Sequence, residues 1–181
     1  MIASLKYTHA DLLAMPDDGK RREIIDGELY VTPSPLNRHQ LILFNLTMAF
    51  GKFLETHPLG QLRFAPLDVI LSEHDVVEPD LLFVLNEHRE FLQDWVRGAP
   101  DLVVEILSPS TEVRDRGLKL KAYARYGVGE YWIVDPAAEA VEIYRLAAQG
   151  FQLARKCGKE GTVETPLLPG FSLPVSSVFR P

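Results

Sequence analysis

The feature that most constrains the fold is a succession of short apolar runs enclosed by two longer helical patterns. An apolar run of four to eight residues predicts a buried strand, whereas apolar residues spaced by three and four predict a helix. The predicted order is helix, three strands, helix, strand, over residues 38–57, 62–72, 79–85, 101–107, 110–127 and 130–135. Helices and strands mixed around one sheet predict an α/β or α+β sandwich.

Local signals refine this outline. Asp26-Gly27 stands between the apolar flanks EII and LYV, a strong signal for a β-hairpin ahead of the predicted core. The first long helix has an apolar rhythm that includes Phe44 and Met48, and the second ends at Gly127, a plausible C-cap. With 181 residues, the chain is expected to form one domain over residues 1–181.

Composition and termini bear on where the protein works. No apolar run approaches the ~18–20 residues that span a bilayer. The stretch MIASLKYTHADLLAM lacks the basic start and apolar stretch of a secretory signal. The single cysteine, Cys157, cannot form an internal disulfide. We therefore expect a cytoplasmic protein.

Two of the predicted strands carry an acid in apolar surroundings. Glu105 lies inside DLVVEIL, and Asp80 opens PDLLFVL in much the same way. Burying an ionised group is costly unless a partner compensates its charge. Two such carboxylates predict a shared cation, for which a hard divalent ion with oxygen ligands is the usual solution.

Strand geometry separates two candidate partners for Glu105. Asp101 lies four residues earlier on the same strand, ~13 Å away at ~3.3 Å per residue, which is too far to share one ion. Asp80 lies on a different strand, which can run beside Glu105 at ~4.8 Å. We therefore predict that Asp80 is the ligand partner and that Asp101 caps the strand entry.

A metal site that activates a water also needs a cationic side chain nearby, and the strand of Glu105 does not carry one. Leu107 occupies the position two residues after Glu105, so the following helix is the place to look. At 100° per residue, Lys119 projects within ~40° of the middle of the predicted apolar face, which includes Leu118 and Tyr123. Lys121 points more than ~120° away. Lys119 is therefore predicted to face inward and Lys121 outward.

Other residues are weaker candidates. Glu28 opens the second hairpin strand and His39 begins the long helix; either could be an accessory site residue, although both are more often ordinary surface residues. The stretch 114–125 holds five basic residues, among which Arg114 and Arg116 could contact phosphate together with Lys121. A solvated helix face is the alternative for this stretch.

The residues also resemble a known family. The resemblance lies in the segments REIIDGELYV, SPLNRHQLIL, APLDVIL, VVEPDLLFV, GAPDLVVEILSPST, RDRGLKLKAYARYGVGEYWIVDP and EIYRL. In this order and spacing they resemble the Uma-type restriction endonuclease family, from about Tyr7 to the C-terminus. The resemblance implies a restriction-endonuclease-like fold of the PD-(D/E)XK superfamily, with a central mixed sheet flanked by helices. That core has the order helix, three strands, helix, strand.

The same resemblance implies a site and a reaction. The family's acidic pair falls on Asp80 and Glu105, and the backbone carbonyl of Ile106 would be a further metal ligand. The lysine that normally lies two residues after the second acid is displaced to the next helix, as Lys119. The implied activity is Mg²⁺-dependent hydrolysis of DNA phosphodiester bonds, with Mn²⁺ as a substitute and a homodimer as the expected assembly.

The sequence is also compatible with two other functions. A noncatalytic nucleic-acid-binding or regulatory module could retain the fold, and the formal net charge of −6 favours it somewhat. In a purely structural or oligomerising protein, Glu105 and Lys119 would form only a core ion pair. That alternative predicts that Lys119→Met leaves stability unchanged or raised and affects no activity.

Overall fold

The computed structural model of the protein describes residues 5–181. The first four residues of the stretch considered for a secretory signal lie outside this range. The helices are α1 (His9–Ala14), α2 (Asn37–Leu54), α3 (Glu112–Arg114), α4 (Leu120–Tyr126) and α5 (Val175–Phe179). The strands are β1 (Arg21–Ile25), β2 (Glu28–Thr32), β3 (Gly60–Phe64), β4 (Val69–Ser72), β5 (Asp75–Val77), β6 (Leu81–Leu85), β7 (Val96–Arg97), β8 (Leu102–Ile106), β9 (Glu130–Asp135), β10 (Ala140–Ala147), β11 (Gly150–Cys157), β12 (Thr162–Val163) and β13 (Leu173–Pro174).

A six-stranded mixed sheet forms the centre of the molecule, in the order β11-β10-β9-β8-β6-β3. Only the β8–β9 pair in it is parallel. The residues of β6, β8 and β9 are buried on both faces, which explains why their sequences are almost continuously apolar. The predicted order of helix, three strands, helix, strand is confirmed as α2, β3, β6, β8, the helical segment 112–126 and β9.

Each face of this sheet is covered by a separate apolar cluster. On one face, Ile42, Leu46 and Phe50 of α2 pack against alternate residues of β8 such as Leu102 and Val104. The helix predicted over 38–57 is therefore present, but its buried face differs from the predicted one. Phe44 and Met48 are 61% and 56% exposed, because α2 turns Ile42, Leu46 and Phe50 toward the sheet instead.

The other face is covered by α4 and by a second sheet that the sequence pattern did not indicate. This five-stranded sheet has the order β2-β1-β5-β4-β7. Its β1–β2 hairpin confirms the turn at Asp26-Gly27, where both residues have positive φ (54° and 82°). The single strand predicted over 62–72 is wrong: its first half is β3 in the central sheet, and its second half is β4 in the second sheet.

The segment between β8 and β9 is helical, as predicted, from Glu112 to Tyr126, and it contains a π-helical turn, Asp115–Lys119, between α3 and α4. Gly127 ends it in the left-handed conformation (φ 90°), which confirms the predicted C-cap. Leu118 was assigned to the apolar face but is 37% exposed, because the wider turn rotates it outward. Within residues 5–181, none of the helices has the length and apolar character needed to cross a membrane.

Candidate active site

A cavity of about 310 Å³ opens at one end of two neighbouring strands of the central sheet, where β6 begins and β8 ends. The first turn of α2, the hairpin strand β1 and the π-helical turn close its other sides. The charged and imidazole side chains that line it are those of Arg21, Glu23, His39, Asp80, Glu105, Arg114, Asp115 and Lys119. The predicted trio of Asp80, Glu105 and Lys119 therefore lies in one cavity.

Asp80 is held by hydrogen bonds immediately before β6. The antiparallel register pairs Leu81 with Val104, which sets Asp80 beside Glu105 on the neighbouring strand. Its Oδ2 accepts the amide of Ile106 (2.8 Å) and faces Nε2 of His39 (3.1 Å). Burial alone would raise the pKa of Asp80, but the hydrogen bonds from His39 and Ile106 and a nearby arginine hold it below its ordinary value. Asp80 is thus an ionised carboxylate.

Glu105 is the central acid of the site. Its Oε1 accepts hydrogen bonds from Nζ of Lys119 and from the hydroxyl of Tyr123, each at 2.8 Å. Burial raises its pKa to about 8; Lys119 lowers it, whereas the nearby acids Asp115 and Asp80 raise it further. Burial and the neighbouring acids therefore disfavour the ionised form of Glu105, and Lys119 offsets them only in part.

Among residues 5–181, Lys119 is the only lysine that lines the cavity. The π-helical turn brings it inside, where it is 3% exposed, and it contacts Glu105 and Glu23 (2.7 Å) as well as Asp115 (3.7 Å). Burial alone would lower the pKa of Lys119, but these three carboxylates raise it above its ordinary value. The side chain is a buried ammonium ion, as its inward position suggested.

Glu23 and Arg21 belong to the site but were not predicted from the sequence. Both come from β1, outside the central sheet, and Glu23 is 2% exposed. Arg21 lies 3.6 Å from Asp80 and bonds the carboxylate of Glu78 (3.0 Å). The one available signal was alternation: Glu23 shares a strand face with Ile25, a core residue, so it is an acid on a buried face.

The donors in the cavity fit a magnesium ion. Within residues 5–181, no group of three or more His, Cys, Asp or Glu side chains is arranged as a metal site. Mg²⁺ is nevertheless usually bound through one or two carboxylates, with waters and substrate phosphates as its other ligands. Asp80 and Glu105 provide two neighbouring carboxylates, and a divalent cation between them would favour the ionised form of Glu105, which burial disfavours.

The weaker candidates separate into two groups. His39 lies in the cavity against Asp80, and its Nδ1 is buried without a hydrogen-bond partner among the described residues. Ile106 lines the cavity too; its amide binds Asp80, and a metal-ligating role for its carbonyl stays a prediction. Glu28 is exposed, bonds the hydroxyl of Tyr30 and does not line the cavity.

The basic residues of the helical segment face different directions. Arg114 lines the cavity, bonds Thr32 (2.8 Å) and contacts Glu23 (3.3 Å). Arg116 lies outside the cavity and forms ion pairs with three carboxylates, those of Glu112, Asp135 and Glu142. Lys121 is exposed, as predicted, and also lies outside the cavity.

Asp101, rejected as a partner of Glu105, lies at the entry of β8. Its Oδ2 accepts the amide of Leu85 (2.8 Å), and its Oδ1 faces Nδ1 of His88 (2.8 Å). This agrees with the capping role that strand geometry indicated.

Comparisons with known proteins agree with this architecture. The family model "Uma2: Putative restriction endonuclease" matches residues 9–176. An uncharacterized protein of Synechocystis sp. (strain ATCC 27184 / PCC 6803 / Kazusa) is 26% identical over 165 residues, which cover 89% of this chain and 84% of that protein. The crystal structure of "a putative nuclease belonging to DUF820" from Anabaena variabilis ATCC 29413 matches with a TM-score of 0.77. It is 20% identical and covers 95% of this chain and 97% of its own. The predicted restriction-endonuclease-like fold is confirmed.

Proposed function

Because the chain belongs to the Uma2 family, we propose that it is a Mg²⁺-dependent endonuclease that hydrolyses phosphodiester bonds in DNA. One observation carries the proposal: Asp80, Glu105 and Lys119, from three separate parts of the chain, line one cavity. Two carboxylates that can hold a metal ion, beside a cationic side chain that can stabilise developing negative charge, suit metal-assisted phosphodiester hydrolysis.

The metal ion would be held by Asp80, Glu105 and the backbone carbonyl of Ile106. When bound, Mg²⁺ polarises the phosphate and lowers the pKa of a water ligand, and Mn²⁺ would substitute for it. The protein's part is to keep Asp80 ionised, which the amide of Ile106 and the ring of His39 achieve. These hydrogen bonds also fix the direction of the carboxylate, since both converge on Oδ2.

Lys119 would position the attacking water and offset the negative charge that develops on the phosphoryl group. Its ammonium is buried and already ordered by carboxylates, so little reorganisation accompanies the reaction. Arg114, on the cavity wall, would contact a phosphate of the bound strand. Arg116 and Lys121 lie outside the cavity and would reach only phosphates of flanking DNA. Glu28 also lies outside the cavity, so any accessory role would be exerted from there.

Assembly and location are parts of the same proposal. We propose that residues 1–181 form one domain, that the protein works in the cytoplasm, and that it acts as a homodimer. A dimer would bring two sites to the two strands of a duplex. Light scattering coupled to size-exclusion chromatography measures the assembly directly: a mass near twice 20.4 kDa supports the dimer, and a mass near 20.4 kDa contradicts it.

The test of activity is cleavage of supercoiled plasmid DNA by purified protein. We expect nicked and linear products with Mg²⁺, none with EDTA, and none with Glu105→Gln. A matched control is Glu130→Gln, because Glu130 is an equally buried strand glutamate, paired with Arg145 outside the cavity. Equal cleavage by wild type and Glu105→Gln would contradict the proposal. No cleavage by wild type would favour the noncatalytic module.

A further inference from the structure

Glu23 is a carboxylate of the cavity that three separate parts of the chain hold in place. Its Oε1 accepts the backbone amide of Glu78 (2.9 Å) and contacts Nζ of Lys119 (2.7 Å), while Arg114 approaches its Oε2 (3.3 Å). These three partners come from the segment after β5, from the π-helical turn and from α3. The carboxylate therefore has a fixed position that does not depend on any single partner.

Glu105 is held differently. Both hydrogen bonds that it receives within the described part of the chain, from Lys119 and Tyr123, go to the same oxygen, Oε1. As a metal ligand, Glu105 would have a divalent cation on its carboxylate beside the ammonium of Lys119. Two neighbouring cations on one carboxylate repel each other, so the contact between Lys119 and Glu105 weakens when the metal binds.

A buried ammonium that loses its carboxylate is strongly destabilised, so Lys119 needs a second anion that the metal does not engage. Asp115 lies 3.7 Å from Nζ, which is beyond hydrogen-bond length, and so contributes charge without a directional bond. Glu23 is at hydrogen-bond distance and is anchored by a backbone amide.

We propose that Glu23 is a positioning residue that keeps Lys119 over the site when Glu105 engages the metal ion. This rests on the proposed function, because it presumes that Glu105 is a metal ligand. It makes the N-terminal hairpin, which lies outside the central sheet, a working part of the active site. Glu23 itself need touch neither the metal nor the substrate.

The test follows the Nζ resonance of Lys119 in ¹⁵N-labelled protein, assigned by its loss in Lys119→Arg. In EDTA, we expect both wild type and Glu23→Gln to show this resonance, because Glu105 still holds the ammonium. After addition of Mg²⁺ alone, wild type keeps the resonance, whereas Glu23→Gln loses it to exchange with water. With DNA, Glu23→Gln should lower kcat about 10- to 100-fold, the range for residues that orient a metal-site group, and leave KM within about twofold.

Two further variants secure the interpretation. Glu130→Gln removes an equally buried carboxylate outside the cavity and should leave both the resonance and kcat as in wild type. Glu23→Asp keeps the charge but withdraws it by one methylene, so we expect intermediate values. It also replaces Glu23→Gln as the test variant if the latter does not fold.

The outcomes distinguish this proposal from the proposed function. If Mg²⁺ changes no wild-type resonance and wild type does not cut DNA, both fail together. If wild type binds Mg²⁺ and cuts DNA while Glu23→Gln keeps both the resonance and kcat, only the role of Glu23 is overturned. A lower kcat with the Lys119 resonance retained in Mg²⁺ also overturns it, because positioning of Lys119 is then not what the substitution removed.

Discussion

In the metal-free protein, the carboxyl of Glu105 produces a pH-dependent stability that Glu105→Gln removes. Burial raises its pKa from 4.5 to about 8 in the folded protein, whereas the unfolded chain ionises near 4.5. Between these values, unfolding releases a proton. The stabilising contribution of the raised pKa is therefore fully present below about pH 4.5 and is lost as pH rises toward about 8.

The magnitude follows from the width of this pH window. Each pH unit lowers the free energy of unfolding by up to ~1.36 kcal/mol, so the whole window corresponds to on the order of 5 kcal/mol. Gln at position 105 keeps an oxygen that can accept hydrogen bonds from Lys119 and Tyr123 but cannot ionise. We therefore expect the stability of Glu105→Gln relative to wild type to rise by roughly 3–5 kcal/mol between about pH 5 and 8.

Urea unfolding in EDTA, followed by the fluorescence of buried Trp132, measures this difference at each pH. Glu142→Gln is the matched control, because ion pairs with Lys156 and Arg116 outweigh burial and lower the pKa of Glu142. Above about pH 5.5 its carboxyl is ionised in both the folded and the unfolded state, so from there to pH 8 the difference between Glu142→Gln and wild type should not vary with pH. Parallel curves for Glu105→Gln and wild type would refute the reasoning.

Three further predictions concern the cavity. Lys119→Met should destabilise the metal-free protein by ~3–5 kcal/mol in urea unfolding at pH 8, because Lys119 compensates more than one buried carboxylate. The control Lys121→Met, at an exposed position, should change the free energy of unfolding by no more than ~0.5 kcal/mol. Equal effects of the two substitutions would contradict this prediction. Asp80→Asn should weaken Mg²⁺ binding by about tenfold or more (~1.4 kcal/mol) in calorimetric titration, and an unchanged affinity would remove Asp80 from the ligands. Arg114→Ala should weaken DNA binding and reduce the salt dependence of the affinity by about one phosphate contact. Arg116→Ala should have a smaller effect on both quantities. The reverse order would show that DNA contacts the surface around Arg116 and not the cavity.

The fold could be predicted wherever a local pattern determines it. The hairpin at Asp26-Gly27 and the helix end at Gly127 follow from backbone conformations that few residues adopt readily. The strand predicted over 62–72 failed because its two halves pair with distant partners, β3 with β6 and β4 with β5 and β7. Pro66, which has no amide hydrogen to donate to a sheet, lies between the halves and is the signal that could have divided them.

The site could be predicted where an unusual residue interrupts an apolar run. Glu105 and Lys119 were found because a charge on a buried face requires a partner, and the structure brings the two within 2.8 Å. The same reasoning does not reach Glu23, because the local sequence around it predicts only a hairpin strand outside the central sheet. Which face of that hairpin is buried depends on β5 and the helical segment 112–126, and local sequence does not encode that packing.

The most direct test of the central claim is a crystal structure with Mn²⁺, located by its anomalous scattering. We predict one ion with oxygens of both Asp80 and Glu105 as ligands, at ~2.0–2.3 Å, and Lys119 within hydrogen-bond distance of a water on that ion. An ion bound elsewhere, or none at saturating Mn²⁺ with Lys119 still joining Glu23 to Glu105, would contradict the assignment of this cavity as the metal-dependent site.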